Sequence, residues 1–142
     1  MLDEFVNFCR TNLNLNNNHY AEPYRSLSVC LIDCIYSLRS KYFSVTVPVV
    51  ERYAHRFMNN DRFAAGDTLD DLMNNIDSVG GCDNFASEIF NNRQKLSRKL
   101  KSEVCYELAR KLKLLHINTK EDFQNFESVE LLEIVINSVK GM

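Results

Sequence analysis

The run from Asn92 to Lys101 reads Asn-Arg-Gln-Lys-Leu-Ser-Arg-Lys-Leu-Lys. Arg93, Lys95, Arg98, Lys99 and Lys101 supply five cations with no acid between them, and Ser97 adds a hydroxyl able to donate to a phosphate oxygen. The chemistry that suits this set is contact with a nucleic-acid backbone, where each cation displaces a condensed counterion. The same residues also describe a solvated loop and helix face, and that is the more usual role of such a charge run. A smaller basic site, Arg39 and Lys41 around Ser40, lies earlier in the chain. Tyr42 and Phe43 beside it are flat enough to stack on a base, although aromatics at a helix turn more often pack inward.

Other chemistry finds less material. Cys30 and Cys34 stand one helical turn apart, yet no histidine or second cysteine pair has matching spacing for a metal, so core packing is the expected role. His19, His55 and His116 are isolated, and none sits beside a recognisable nucleophile motif. Asp33 interrupts an apolar helical run, where a carboxylate is expected to pair with a structural partner. No glycine-rich phosphate loop occurs. The sequence therefore assigns no catalytic residue, no metal ligand and no cofactor.

The elements that must position these residues are helical. Gly and Pro number four and two, and 45% of the 142 residues are hydrophobic against 25% charged, which suits an ordinary core. The central stretch is a pair of helices. Leu27, Cys30, Leu31, Cys34, Ile35 and Leu38, with Val29 and Ile32, make the first apolar most of the way round, so it belongs inside. The second is expected to begin near a capping Ser44, with Pro48 in its first turn and Val45, Val49, Tyr53 and Phe57 inward. An opening helix carries Leu2, Phe5, Val6 and Cys9, and an Asn-rich run from Asn12 to Asn18 ends it. This divides the chain into an N-terminal helix and loop, 1–23, and a helical domain, 24–142.

Later helices follow from their caps. Thr68 with Asp71 starts one, Asp83 the next, Thr119 a short turn, and Ser128 a last helix whose inward positions are Leu131, Leu132, Val135, Ile136 and Val139. A long helix between them buries Leu100, Val104, Cys105, Leu108, Leu112 and Leu115. The fold class is all-α. A net charge of -2 disfavours a surface that coats nucleic acid broadly but leaves room for a local basic patch. No run approaches the roughly 20 apolar residues of a membrane helix. The acidic start lacks a secretory pattern, and five irregularly spaced cysteines fit buried thiols in a reducing cytoplasm.

Three stretches resemble the helix-hairpin-helix (endonuclease III-like) base-excision DNA glycosylase superfamily. Residues 31–45 look like the paired helices that open the six-helix barrel of that family. Asn92-Arg93-Gln94-Lys95 through Lys101-Ser102-Glu103 is similar to a basic loop and Lys-x-Glu helix start in a bacterial subgroup. Glu130 to Gly141 looks like the helix leading into the hairpin, with Lys140-Gly141 at the first hairpin glycine. The resemblance covers roughly residues 24–142. It implies a helical array like the first part of the barrel, with Arg39 at the turn that reaches into the DNA stack and Lys140 and Gly141 at the phosphate-binding hairpin.

The family's second hairpin glycine and catalytic Asp have no counterpart here. The expectation is accordingly a glycosylase-like protein without catalysis of its own, with weak binding of double-stranded DNA through Arg39, Ser40, Lys41, Arg93, Lys95, Arg98, Lys99, Lys101, Lys140 and Gly141. A protein partner, or self-association, would cover the face left open. The alternative is an all-α protein–protein interaction module with no nucleic-acid role.

Overall fold

A computed structural model describes residues 2–13 and 23–139. The fold is all-α. In chain order it runs α1 Leu2–Leu13, α2 Leu27–Ser37, a π-helical turn Tyr42–Thr46, α3 Val47–Phe57, α4 Leu69–Ser78, α5 Cys82–Glu88, a hairpin of β1 Lys95–Leu96 and β2 Lys99–Leu100, α6 Lys101–Leu114, α7 Lys120–Gln124 and α8 Val129–Asn137. No helix among the described residues is long and apolar enough to cross a membrane.

The central helix is α2. Its residues from Leu27 to Tyr36 are all buried, as the all-round apolar pattern requires. It packs against α1, α3, α4 and α6. At about 1.5–3 kcal/mol for each large side chain removed from water, Leu27, Leu31, Ile32 and Ile35 make this helix the main source of cohesion. The second hub, α6, buries Val104, Cys105, Leu108, Ala109 and Leu112 and touches α2, α4, α5 and α8. Between α3 and α5 the aromatic rings interlock. Phe57 of α3 stacks on Phe85 of α5 at 5.8 Å, and just beyond α5 the Phe90 ring meets Phe85 edge-on at 4.8 Å and Tyr36 of α2 edge-on at 5.0 Å.

Three of the expected caps form, at Thr68, Thr119 and Ser128. The Thr68 hydroxyl accepts from Asp71 N at 3.2 Å while the Asp71 carboxylate accepts from Thr68 N at 2.9 Å, and Thr119 with Asp122 repeats the pattern. Ser128 accepts from Leu131 N at 3.2 Å.

Several expectations change. Ser44 caps nothing. The helical path already starts at Tyr42 as a π-turn, and α3 follows with Pro48 in its first turn, where a missing N–H costs little. Asp83 lies inside the first turn of α5; the N-cap is Gly81, whose φ of 114° suits only glycine. Leu131 is 40% exposed, because α8 turns Leu132 and Ile136 inward instead. Cys34 is disulfide-bonded, so thiols are not present throughout; Cys30, Cys82 and Cys105 are free.

Candidate nucleic-acid interface

The two basic segments meet at one buried ammonium. Lys101 is the first residue of α6 and only 1% exposed. Its Nζ donates to Leu38 O at 2.7 Å, Tyr36 O at 3.2 Å, Ser40 Oγ at 2.7 Å and Gln94 Oε1 at 3.0 Å. Ser40 Oγ in turn donates to Gln94 Oε1 at 2.6 Å. The turn after α2 is thereby tied to Gln94, just before β1, and to the start of α6.

The physical reason lies at the end of α2. Its last carbonyls have no intrahelical donors, and its last turn carries no basic residue of its own. Lys101 supplies the missing cation from far along the chain, at the negative end of the helix dipole. Arg39, at φ 56°, turns the chain sharply enough to bring Ser40 to the same point. Burial drives the Lys101 ammonium down to about 8 from its ordinary 10.5. The acceptors work the other way, since four oxygens compete for the three N–H bonds of the charged form.

Around this clamp the side chains separate by role. Lys101 faces inward and reaches no solvent phosphate. The Arg93 guanidinium is held by Asp83 Oδ1 and Ser87 Oγ, both at 2.6 Å, and Lys99 is paired with Glu107. Arg39, Lys41, Lys95 and Arg98 are exposed and make no ion pair among the described residues. The register Lys95↔Leu100 and Leu96↔Lys99 buries both leucines and leaves Lys95 outward. Ser97 sits exposed at the hairpin tip with φ 55°. Lys140 and Gly141 lie outside the described residues.

Phe43 is 85% exposed, against the inward packing expected for it. Its neighbour explains the reversal. The Tyr42 hydroxyl donates to Asp33 Oδ2 at 3.0 Å, so the ring before Phe43 is committed inward and the π-turn points Phe43 out. Asp33 also accepts from Tyr24 OH at 2.8 Å, which gives it the structural partners expected of a buried carboxylate. Burial raises its pKa above the ordinary carboxylate value, and the tyrosine and Ser37 hydrogen bonds with the nearby Arg62 charge oppose that rise. The edge thus presents one exposed ring and four unpaired cations on two turns locked together.

Sequence reasoning missed two features. One is the clamp itself. Its signal was present, since Lys101 stands four residues before buried Cys105 and seven before Leu108, on the inward stripe of α6. The other is a cleft of about 1020 Å³ between α3, the 60–63 loop and the end of α5. Arg52, Arg56 and Arg62 line it together with Glu51, Asp61 and Glu88, so neither sign dominates. Arg52 Nη1 donates to Phe90 O at 2.8 Å, and Arg62 Nη1 lies 3.5 Å from Glu51, an ion pair too long for a good hydrogen bond. Among the described residues no group of three His, Cys, Asp or Glu side chains could hold a metal ion.

Residues 3–141 match the model of a family described as Domain of unknown function (DUF8548). The chain belongs to that family. No curated protein and no solved structure matches it. The matched span of the domain contains both halves of the clamp, the Arg39 turn and the 93–101 segment.

Proposed function

We propose that this domain binds nucleic acid, double-stranded DNA in the first instance, through the edge formed by Arg39, Lys41, Lys95 and Arg98, as a glycosylase-like helical domain to which no catalytic residue is assigned. The observation that carries the reading is the Ser40–Gln94–Lys101 clamp. It joins two basic segments distant in sequence and keeps them rigid, so their charges act on one backbone rather than as separate solvated loops. The resemblance to helix-hairpin-helix glycosylases supports DNA as the nucleic acid.

The test is binding of labelled duplex DNA, intact and carrying an abasic site, followed by fluorescence anisotropy across a salt series. With four phosphate contacts the logarithm of the association constant should fall with log salt at a slope of about 3 to 4, and Arg39→Ala with Arg98→Ala should lower that slope by about 2. Absence of binding at the lowest salt would leave the second reading, a helical protein-interaction module, which the exposed Leu131 and Ile134 of α8 favour.

A further inference from the structure

We infer that this chain associates with itself head to tail, the Phe43 tip of one copy seating on the outer face of α8, around Leu131 and Ile134, of the next. Large exposed hydrophobics among the described residues are few. They are Phe43 at 85%, Leu114 at 70%, Ile134 at 64%, Leu131 at 40% and Val129 at 39%. Leu114 closes α6, whereas Phe43 in the π-turn and Val129, Leu131 and Ile134 on α8 make two sites with opposite electrostatic surroundings.

On α8, Leu132 and Ile136 face the core. Leu131 and Ile134, three residues apart, therefore share the outward side. Acids border it: Glu130 and Glu127 are exposed, Glu133 is half-buried, and none makes an ion pair among the described residues. Phe43 is the reverse case, an apolar ring flanked by the unpaired cations Arg39 and Lys41.

Charge then selects the occupant. A symmetric contact of α8 with α8 would bring Glu130 and Glu133 of two copies together, and like charges at contact are unfavourable. A contact of two Phe43 tips would oppose Arg39 and Lys41 in the same way. Only tip on α8 buries both apolar exposures while pairing cations with acids. Such a contact is heterologous: every copy offers one tip and one α8 face, so association continues beyond the dimer. The ring and the helix face are small, which sets a weak affinity on the order of 100 µM.

Sedimentation velocity of the full 142-residue chain, from about 5 µM to about 500 µM at low salt, tests this without nucleic acid present. The weight-average sedimentation coefficient should rise with concentration and fall back when salt is raised to about 0.5 M. Phe43→Glu removes the donor and Ile134→Lys removes the acceptor, so each alone should stay monomeric. Mixed in equal amounts they should form a dimer and nothing larger, because only one tip and one complementary face remain. Both side chains are exposed, and unchanged circular dichroism would verify folding. A wild-type chain monomeric over the whole range overturns the inference, and so does a Phe43→Glu variant that associates like wild type. Neither result bears on DNA binding by the cationic edge.

Discussion

A buried lysine with no carboxylate beside it is an expensive choice, and Lys101 shows what it does. Replacing it by methionine removes the desolvation cost of the ammonium but leaves Tyr36 O and Leu38 O without their donor. Unsatisfied buried carbonyls cost about 1–3 kcal/mol each, and relief from burying a charge offsets part of that. Lys101→Met should therefore destabilise the chain by about 1–2 kcal/mol in urea titrations near neutral pH. The pH dependence separates this role from simple packing. Between about 8 and 10.5 the unfolded chain holds a proton on Lys101 that the folded chain has released. The contribution of this group to stability rises with pH across that window. Buried tyrosines and thiols, including Tyr53 and Cys30, have raised values and pull the other way, so the slope must be read as wild type minus Lys101→Met. A difference that stays flat from pH 8 to 10.5 would mean that folding does not desolvate the Lys101 ammonium. In the sequence Lys101 looks like four neighbouring bases, and only its place on the α6 stripe distinguishes it. The basic character of the edge was legible, whereas the partition into one structural, two ion-paired and several available cations depends on Asp83, Glu107 and the hairpin register, which local patterns do not encode.

At the scale of elements, Asp33 is a junction. From the middle of α2 it accepts hydrogen bonds from Tyr24, before the helix, and Tyr42, in the π-turn after it. Three segments are fixed by one side chain, and the outward aim of Phe43 follows from it. Because burial raises its pKa, the folded chain keeps a proton on Asp33 at pH values where the unfolded chain has lost it. Its contribution to stability is thus greatest in acid and declines as pH rises through the window above 3.8. Asp33→Asn, which mimics the protonated form, should match or exceed wild type in stability at pH 7 and lose its advantage toward pH 4. Asp33→Ala should lose about 2 kcal/mol, because two tyrosine hydroxyls are left without an acceptor. Paired urea melts at the two pH values check both, and an Asp33→Asn variant as weak as Asp33→Ala at pH 7 would contradict the assignment. The helices around this junction were legible from periodicity and caps. The π-turn was not, because Pro48 and Ser44 suit an ordinary helix start equally well, and the extra residue is set by the reach of Tyr42 to Asp33. The β1–β2 hairpin escaped for a related reason, since its two-residue strands are too short to show any alternation.

For the molecule as a whole, a formal charge of -2 conceals a separation of charge. Four cations without ion-pair partners among the described residues, Arg39, Lys41, Lys95 and Arg98, lie on the clamp edge, while Glu127, Glu130 and Glu133 border α8. The separation couples the two proposed interactions. DNA binding and head-to-tail association both draw on Arg39 and Lys41, so a copy whose tip lies against phosphate cannot seat it on a neighbour. Adding excess short duplex DNA to the chain at about 500 µM, above the dissociation constant expected for self-assembly, should return the assembly to single chains bound to DNA. The coupling is reciprocal, so raising protein concentration should weaken apparent DNA affinity per chain. Sedimentation monitored through a labelled duplex reads both species. The Ile134→Lys variant supplies the control, since it keeps the cationic edge but cannot accept a tip, and its DNA affinity should not fall with concentration. Growth of the sedimenting species when DNA is added to wild type would mean that DNA and the neighbouring copy occupy different surfaces, and the shared tip would then have to be given up for one of the two.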